Sequence, residues 1–286
     1  MKTFSFHQLA GLIITVLASI FLGCNKEGNK HSEPAPDINK RGSIILKFDN
    51  VVGDKDLVLG AATYKNASNE DFTVDVFQYY ISNIKLKTND GREYIVPQDE
   101  SYFLVREHVA ASQRITISNV PEGDYVEVTF TIGVDSLRST MPIERRTGVL
   151  DIADSATGKP MYWTWNSGYI FVKIEGTSPQ SSYTRPSDGQ RRFFYHVGGF
   201  GGYSSVTVNN IRTTTLRSPE PARVRSNKTP SVHILVDVLK IFSGSYTVSF
   251  ATNPYSHFSV WSSNLANNYV NMFKIDHVHN VGGHTH

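Results

Sequence analysis

A single cysteine, Cys24, stands in this chain of 286 residues, so neither an internal disulfide nor a cluster of thiolates can form within it. No segment concentrates one sign of charge: 28 lysines and arginines face 26 acidic residues, for a net charge of +2 at pH 7. Nucleic-acid binders carry a basic stripe. Here the two densest basic stretches, 185–192 and 212–228, are rich in Ser, Thr and Pro and read as solvated loops. No nucleic-acid partner is expected. A Gly-x-Ser-x-Gly elbow is missing, and so is a Ser-x-x-Lys motif with its companion motifs. The Gly-rich run 198–202 lacks the Gly-Lys-Ser/Thr of a phosphate cradle. It reads instead as a bulge or tight turn. With no complete catalytic constellation legible, the chain is not expected to be an enzyme.

The first residues look like an address. Lys2 precedes an apolar run over 9–22, and Gly23-Cys24 follows. That is the layout of a secretory signal sequence, too short to span a bilayer comfortably as a helix. Ile20-Phe21-Leu22-Gly23-Cys24 resembles a bacterial lipobox, with Cys24 as the lipidated new N-terminus. The expected organisation is a signal peptide over 1–23, a polar, flexible tether over 24–41 and one β domain over 42–286. The chain is then held to the bacterial cell envelope by the lipid on Cys24, facing the periplasm or the surface.

From Gly42 onward, apolar and β-branched segments recur roughly every 8 to 15 residues between turn residues, the spacing of an antiparallel sandwich. Residues 72–77 alternate cleanly, and Asn89-Asp90-Gly91 is the strongest hairpin signal. Pro121-Glu122-Gly123-Asp124 marks a second turn. Further strands are expected over 204–211, 232–242 and 245–250, and the one real helix over 262–273. The fold class is all-β, a sandwich with Greek-key-like connections, long loops and little helix. Hydrophobic residues at 40%, with 12% aromatic, are ample for its core.

Residues 161–175 hold two of the three tryptophans and read as one long strand. Side chains alternate along a strand, so Met161, Trp163 and Trp165 would share one face, as core or as a pocket wall. His196 lies in a second aromatic strand, where a lone histidine is more often a hydrogen-bonded core residue than a ligand. His277-Val278-His279 has the sharpest spacing: in an extended chain the two imidazoles share a face about 6–7 Å apart, close enough to hold a metal. His284 and His286 read as tail. His233 and His257 have less context. Asp49, Asp75 and Asp237 sit in apolar strands, where any of them can orient a ligand histidine.

Taken in order, the segments 76–84, 133–136, 161–169, 194–199 and 272–280 resemble the MbnP-like family, periplasmic or lipid-anchored β proteins named for a methanobactin-associated member. The resemblance implies copper binding. In such proteins a partner dihaem peroxidase can oxidise a tryptophan to kynurenine, which binds Cu(I) together with histidines. The matching positions are Trp163 or Trp165, His196, His277 and His279, and the lipidated Cys24 is similar to the Bacteroidetes branch. On this resemblance the pieces converge on one copper site in a non-catalytic envelope protein. The alternative is a binding module for a glycan or protein partner, with a shallow groove lined by Trp261, Tyr255 and Tyr203.

Overall fold

The computed structural model describes residues 35–153, 161–257 and 259–280. Cys24, the signal segment, most of the tether and His284 and His286 lie outside them. The strands are β1 (Arg41–Val52), β2 (Lys55–Asp56), β3 (Tyr64–Lys65), β4 (Asp71–Thr88), β5 (Glu93–Ile95), β6 (Tyr102–Arg106) and β7 (Arg114–Pro121). They continue with β8 (Gly123–Ile132), β9 (Ile170–Thr177), β10 (Arg192–Gly198), β11 (Arg212–Val224), β12 (Ser231–Asp237), β13 (Tyr255–Ser256) and β14 (Phe273–His279). Among the described residues, helix is confined to 3-10 turns and three short α segments, α1 (Ser136–Thr140), α2 (Leu239–Phe242) and α3 (Ser262–Tyr269).

These strands form the two sheets of an all-β sandwich. One runs β14-β12-β1-β2, with β7 also on β1; the other runs β11-β8-β4-β9-β10-β13, with β3, β5 and β6 added along β4. Most neighbours are antiparallel, but β1 with β12 and β10 with β13 are parallel. The long β4 serves both halves of its sheet because it breaks at Asn83, whose positive φ of 51° suits asparagine better than most residues. The Asn89-Asp90-Gly91 turn closes β4 onto β5, as its chemistry predicts. The Pro121–Asp124 turn instead carries the chain from one sheet to the other, since β7 pairs with β1 and β8 with β4.

Inward residues of the two sheets fill one core. The ring of Phe48 on β1 lies edge-on to Tyr79, Phe130 and Phe273 at 6.3, 6.0 and 6.3 Å, which joins both sheets. Farther along, Phe193 and Phe250 stack at 4.4 Å beside Phe72 and Phe242. A smaller apolar cluster of Tyr80, Leu104, Val134, Leu150, Met161, Tyr169, Ile170, Phe171 and Phe200 sits where loops cover the second sheet. That cover is why Ile170 to Ile174 are all buried instead of alternating.

Five expectations from the sequence need correction. The strand expected over 232–242 stops at Asp237, and Leu239–Phe242 is helix α2. Residues 161–175 are not one strand: β9 begins only at Ile170. Tyr162 bridges Tyr169, and Gly168, at φ +75°, donates to the Thr164 carbonyl at 2.6 Å. The Asn166-Ser167-Gly168 turn therefore overrides the aromatic β pattern. The segment 212–228, expected as loop, contains the 13-residue β11. Its Thr side chains pair across to β8, Thr215 with Thr129 at 2.8 Å, and a register shift between Arg217 and Ala222 takes up the two prolines at this sheet edge. Residues 204–211 form no strand; only Asn209 makes an isolated bridge, to Phe200. Residues 245–250 are likewise a loop, held by the Glu70 and Asn268 side chains.

Candidate metal centre

His196 projects outward from β10, between inward-facing Tyr195 and Val197. On the adjacent β9, Glu175 is its diagonal neighbour on the same face, since Phe194 pairs with Glu175 and His196 with Lys173. The Glu175 carboxylate meets His196 Nε2 at 2.8 Å, and Lys173 Nζ lies 3.4 Å from the same oxygen. Burial works to raise the Glu175 pKa, but the His196 hydrogen bond and the Lys173 charge outweigh it and bring the group down to about 2. It is thus a firm anionic acceptor that fixes the imidazole.

The parallel pairing of β13 with β10 sets Tyr255 beside Phe194 and Ser256 beside Tyr195, so His257, the next residue, lands beside His196. The two imidazoles are 5.4 Å apart, centre to centre, and nearly perpendicular. Burial, then the neighbouring His196, depresses the His257 pKa, which favours the neutral form a metal requires. Trp163 lies 6.3 Å from the His257 ring. Its ring rests on Gly198, where an added Cβ would stand 3.0 Å from Trp163 and 2.3 Å from the Tyr169 carbonyl. Gly198 thereby leaves room for the indole beside β10.

The remaining expected residues lie elsewhere. Trp165, at 53% exposure, packs against Tyr203 at 4.8 Å and not with Trp163, because the turn at 164–168 breaks the alternation. His277 and His279 are on β14, in the other sheet. Their Nε2 atoms are 2.9 Å apart, closer than strand spacing alone suggests. Stacked sheets stand about 10 Å apart, and His196 and His277 project from the outer faces of different sheets. These histidines therefore form two groups, which do not share one ion.

Sequence patterning missed some of the participants and left others, Asp49 and His233 among them, without a partner. His233 on β12 pairs with His277, their rings 4.6 Å apart, and Asp49 on β1 approaches His233 Nε2 to 3.0 Å. Asp276 holds His277 Nδ1 at 2.6 Å. Alternation in 231–237 does mark His233 as outward-facing, and the apolar setting of Asp49 signals a partner. His257 carries no such signal, since its place depends on a two-residue parallel strand. Asp75 pairs instead with Arg192, and Asp237 accepts from Gly53 N and Leu239 N.

The MbnP family model matches residues 41–261, more than three-quarters of the chain. The chain belongs to the MbnP family. The MbnP from Methylosinus trichosporium is similar in structure, with a TM-score of 0.50 at 17% identity, and the match covers 85% of this chain and 100% of that one. At that identity the likeness is one of fold. None of the curated protein sequences compared with the chain matches it. Trp163, His196 and His257 lie inside the span matched by the MbnP model; Asp276, His277 and His279 lie beyond it.

Proposed function

We propose that this MbnP-family member is a non-catalytic, lipid-anchored envelope protein that binds copper for periplasmic copper handling, at Trp163, His196 and His257. One observation carries this proposal: the fold brings one tryptophan and two histidines from three separate segments to one place within the family-matched residues. Imidazole suits copper, and the donor set fits the ion. His257 is biased to its neutral form and His196 is oriented by Glu175. No carboxylate-rich cage of the kind calcium prefers surrounds the pair among the described residues. Trp163, beside His257 and backed by Gly198, is the tryptophan we assign to oxidation by a dihaem peroxidase partner. Trp165 points away from them. Family membership supports a periplasmic setting, and the Cys24 lipid provides the anchor. The test is a Cu(I) titration against a chelator, with His196→Ala/His257→Ala beside the parent. Tight binding that collapses in the double variant supports the site, and equal binding in both removes it.

A second reading rests on a different observation. A groove of about 550 Å³ runs between Tyr183, Tyr255 and Trp261, with Ser182, Thr252, Asn253, Pro254 and Ser259 completing its walls. Tyr203, expected with Tyr255 and Trp261, does not line it. The lining carries aromatic faces, hydroxyls and one amide but no charge, which suits a neutral sugar ring. Glycan-array binding lost in Tyr255→Ala would favour this reading, and an array without signal would remove it.

A further inference from the structure

We propose that His233, His277 and His279 form a second metal site, independent of Trp163, His196 and His257, for a borderline divalent ion such as Cu(II) or Zn(II). A fault in the β12–β14 ladder builds it. The register runs His233 to His277 and then Ile234 to Ile275, so Asp276 is the extra residue of a β-bulge. A bulge re-aims the side chains around it. Without it, Asp276 and His277 would face opposite sides of the sheet. With it, both lie on the outer face and hydrogen-bond to each other at 2.6 Å.

The side chains are arranged as ligands. Asp276 accepts from His277 Nδ1–H, which leaves the His277 Nε2 lone pair directed at Nε2 of His279, 2.9 Å away. Only one proton can sit between those two nitrogens. Around a tetrahedral ion with bonds near 2.0–2.1 Å, two ligand nitrogens stand about 3.3 Å apart, so an ion can replace that proton after a movement of a few tenths of an ångström. Asp276 then acts as the carboxylate behind a ligand imidazole, which fixes its tautomer.

His233 supplies the independent observation. Its ring is 14% exposed, and both nitrogens are buried without a hydrogen bond. The Asp49 carboxylate, 3.0 Å from Nε2, lies off the direction in which that nitrogen can bond. A buried imidazole whose nitrogens make no hydrogen bond, with the Asp49 and Asp276 carboxylates nearby, is costly and calls for a ligand. One donor atom each from His233, Asp276 and His277 lies within 4.8 Å of the others. Three imidazoles backed by carboxylates suit a divalent ion of intermediate softness.

The test uses the purified full chain and competition titrations with Zn(II) and with Cu(II), the latter also read by electron paramagnetic resonance. The proposal expects one divalent equivalent that is lost in His277→Ala/His279→Ala and weakened at least tenfold in His233→Ala. The same equivalent should persist in His196→Ala/His257→Ala, which separates this site from the Cu(I) site, and in His284→Ala/His286→Ala, which separates it from the tail. Thermal unfolding of each variant shows whether it has folded. No tight equivalent in the parent, or an equivalent that survives in folded His277→Ala/His279→Ala, overturns the proposal. So does an equivalent that disappears with His284 and His286.

Discussion

Asp276 and His277 are consecutive in β14 and yet face the same side of the sheet, joined Oδ2 to Nδ1 at 2.6 Å. That relationship predicts the effect of a small change. Asp276→Asn keeps the shape but loses the anionic acceptor, so divalent affinity should fall by about 10- to 100-fold, as for other carboxylates behind a ligand histidine. The residue is 46% exposed, so the thermal midpoint should hardly move. A competition titration and a melting curve on the same sample check both halves.

Much of the fold was legible and part of the site was not, for reasons tied to particular residues. Strands such as β4 and β6 announce themselves because each alternates or carries apolar residues between clear turn signals. The Trp-containing segment misled, because aromatic β-formers can also sit in a turn that Asn166 and Gly168 dictate. Pairing decided the site. Nothing local in the chain states that β12 lies beside β14, that the ladder slips at Asp276, or that two residues of β13 run parallel to β10. The pairing of His233 with His277, and the places of Asp276 and His257, were therefore out of reach of periodicity, whereas the outward face of His233 and the shared face of His277 and His279 followed from spacing alone.

The two tryptophans of 161–169 should report copper differently. Trp163 lies 6.3 Å from His257, whereas Trp165 packs on Tyr203 at the surface. Quenching of tryptophan fluorescence by bound copper should persist in Trp165→Phe and be largely lost in Trp163→Phe. Equal quenching in both variants would place the ion elsewhere.

Glu70 is a buried carboxylate that ties the 245–251 loop to the sandwich. It accepts hydrogen bonds from Phe250 N at 2.7 Å, Ala251 N at 3.0 Å, Ser249 Oγ at 2.8 Å and Asn66 Nδ2 at 2.7 Å. Burial opposes ionisation, but these donors prevail and hold the pKa below the usual carboxylate value. With the folded pKa below the unfolded one, its contribution is complete above the unfolded value of about 4.3 and is lost as pH falls through the folded pKa. Glu70→Ala should cost about 3 kcal/mol at pH 7, the upper end for leaving buried hydrogen-bond donors unsatisfied. The deficit should shrink below about pH 4. Urea unfolding at pH 7 and pH 3.5 measures both.

Phe48 joins the two sheets through Tyr79, Phe130 and Phe273 and is fully buried. Phe48→Ala should destabilise the domain by about 3–5 kcal/mol, the range for truncating a core aromatic. Phe48→Leu, which keeps most of the volume, should cost clearly less in chemical denaturation.

The copper assignment is tested most directly by one Cu(I) competition titration on three proteins: the parent, His196→Ala/His257→Ala, and His277→Ala/His279→Ala. Loss of tight Cu(I) binding in the first double variant, with binding kept in the second, is the result expected from a site at Trp163, His196 and His257. The reverse pattern, with Cu(I) lost alongside His277 and His279 and retained without His196 and His257, would contradict it and move the copper site to the β12–β14 ladder.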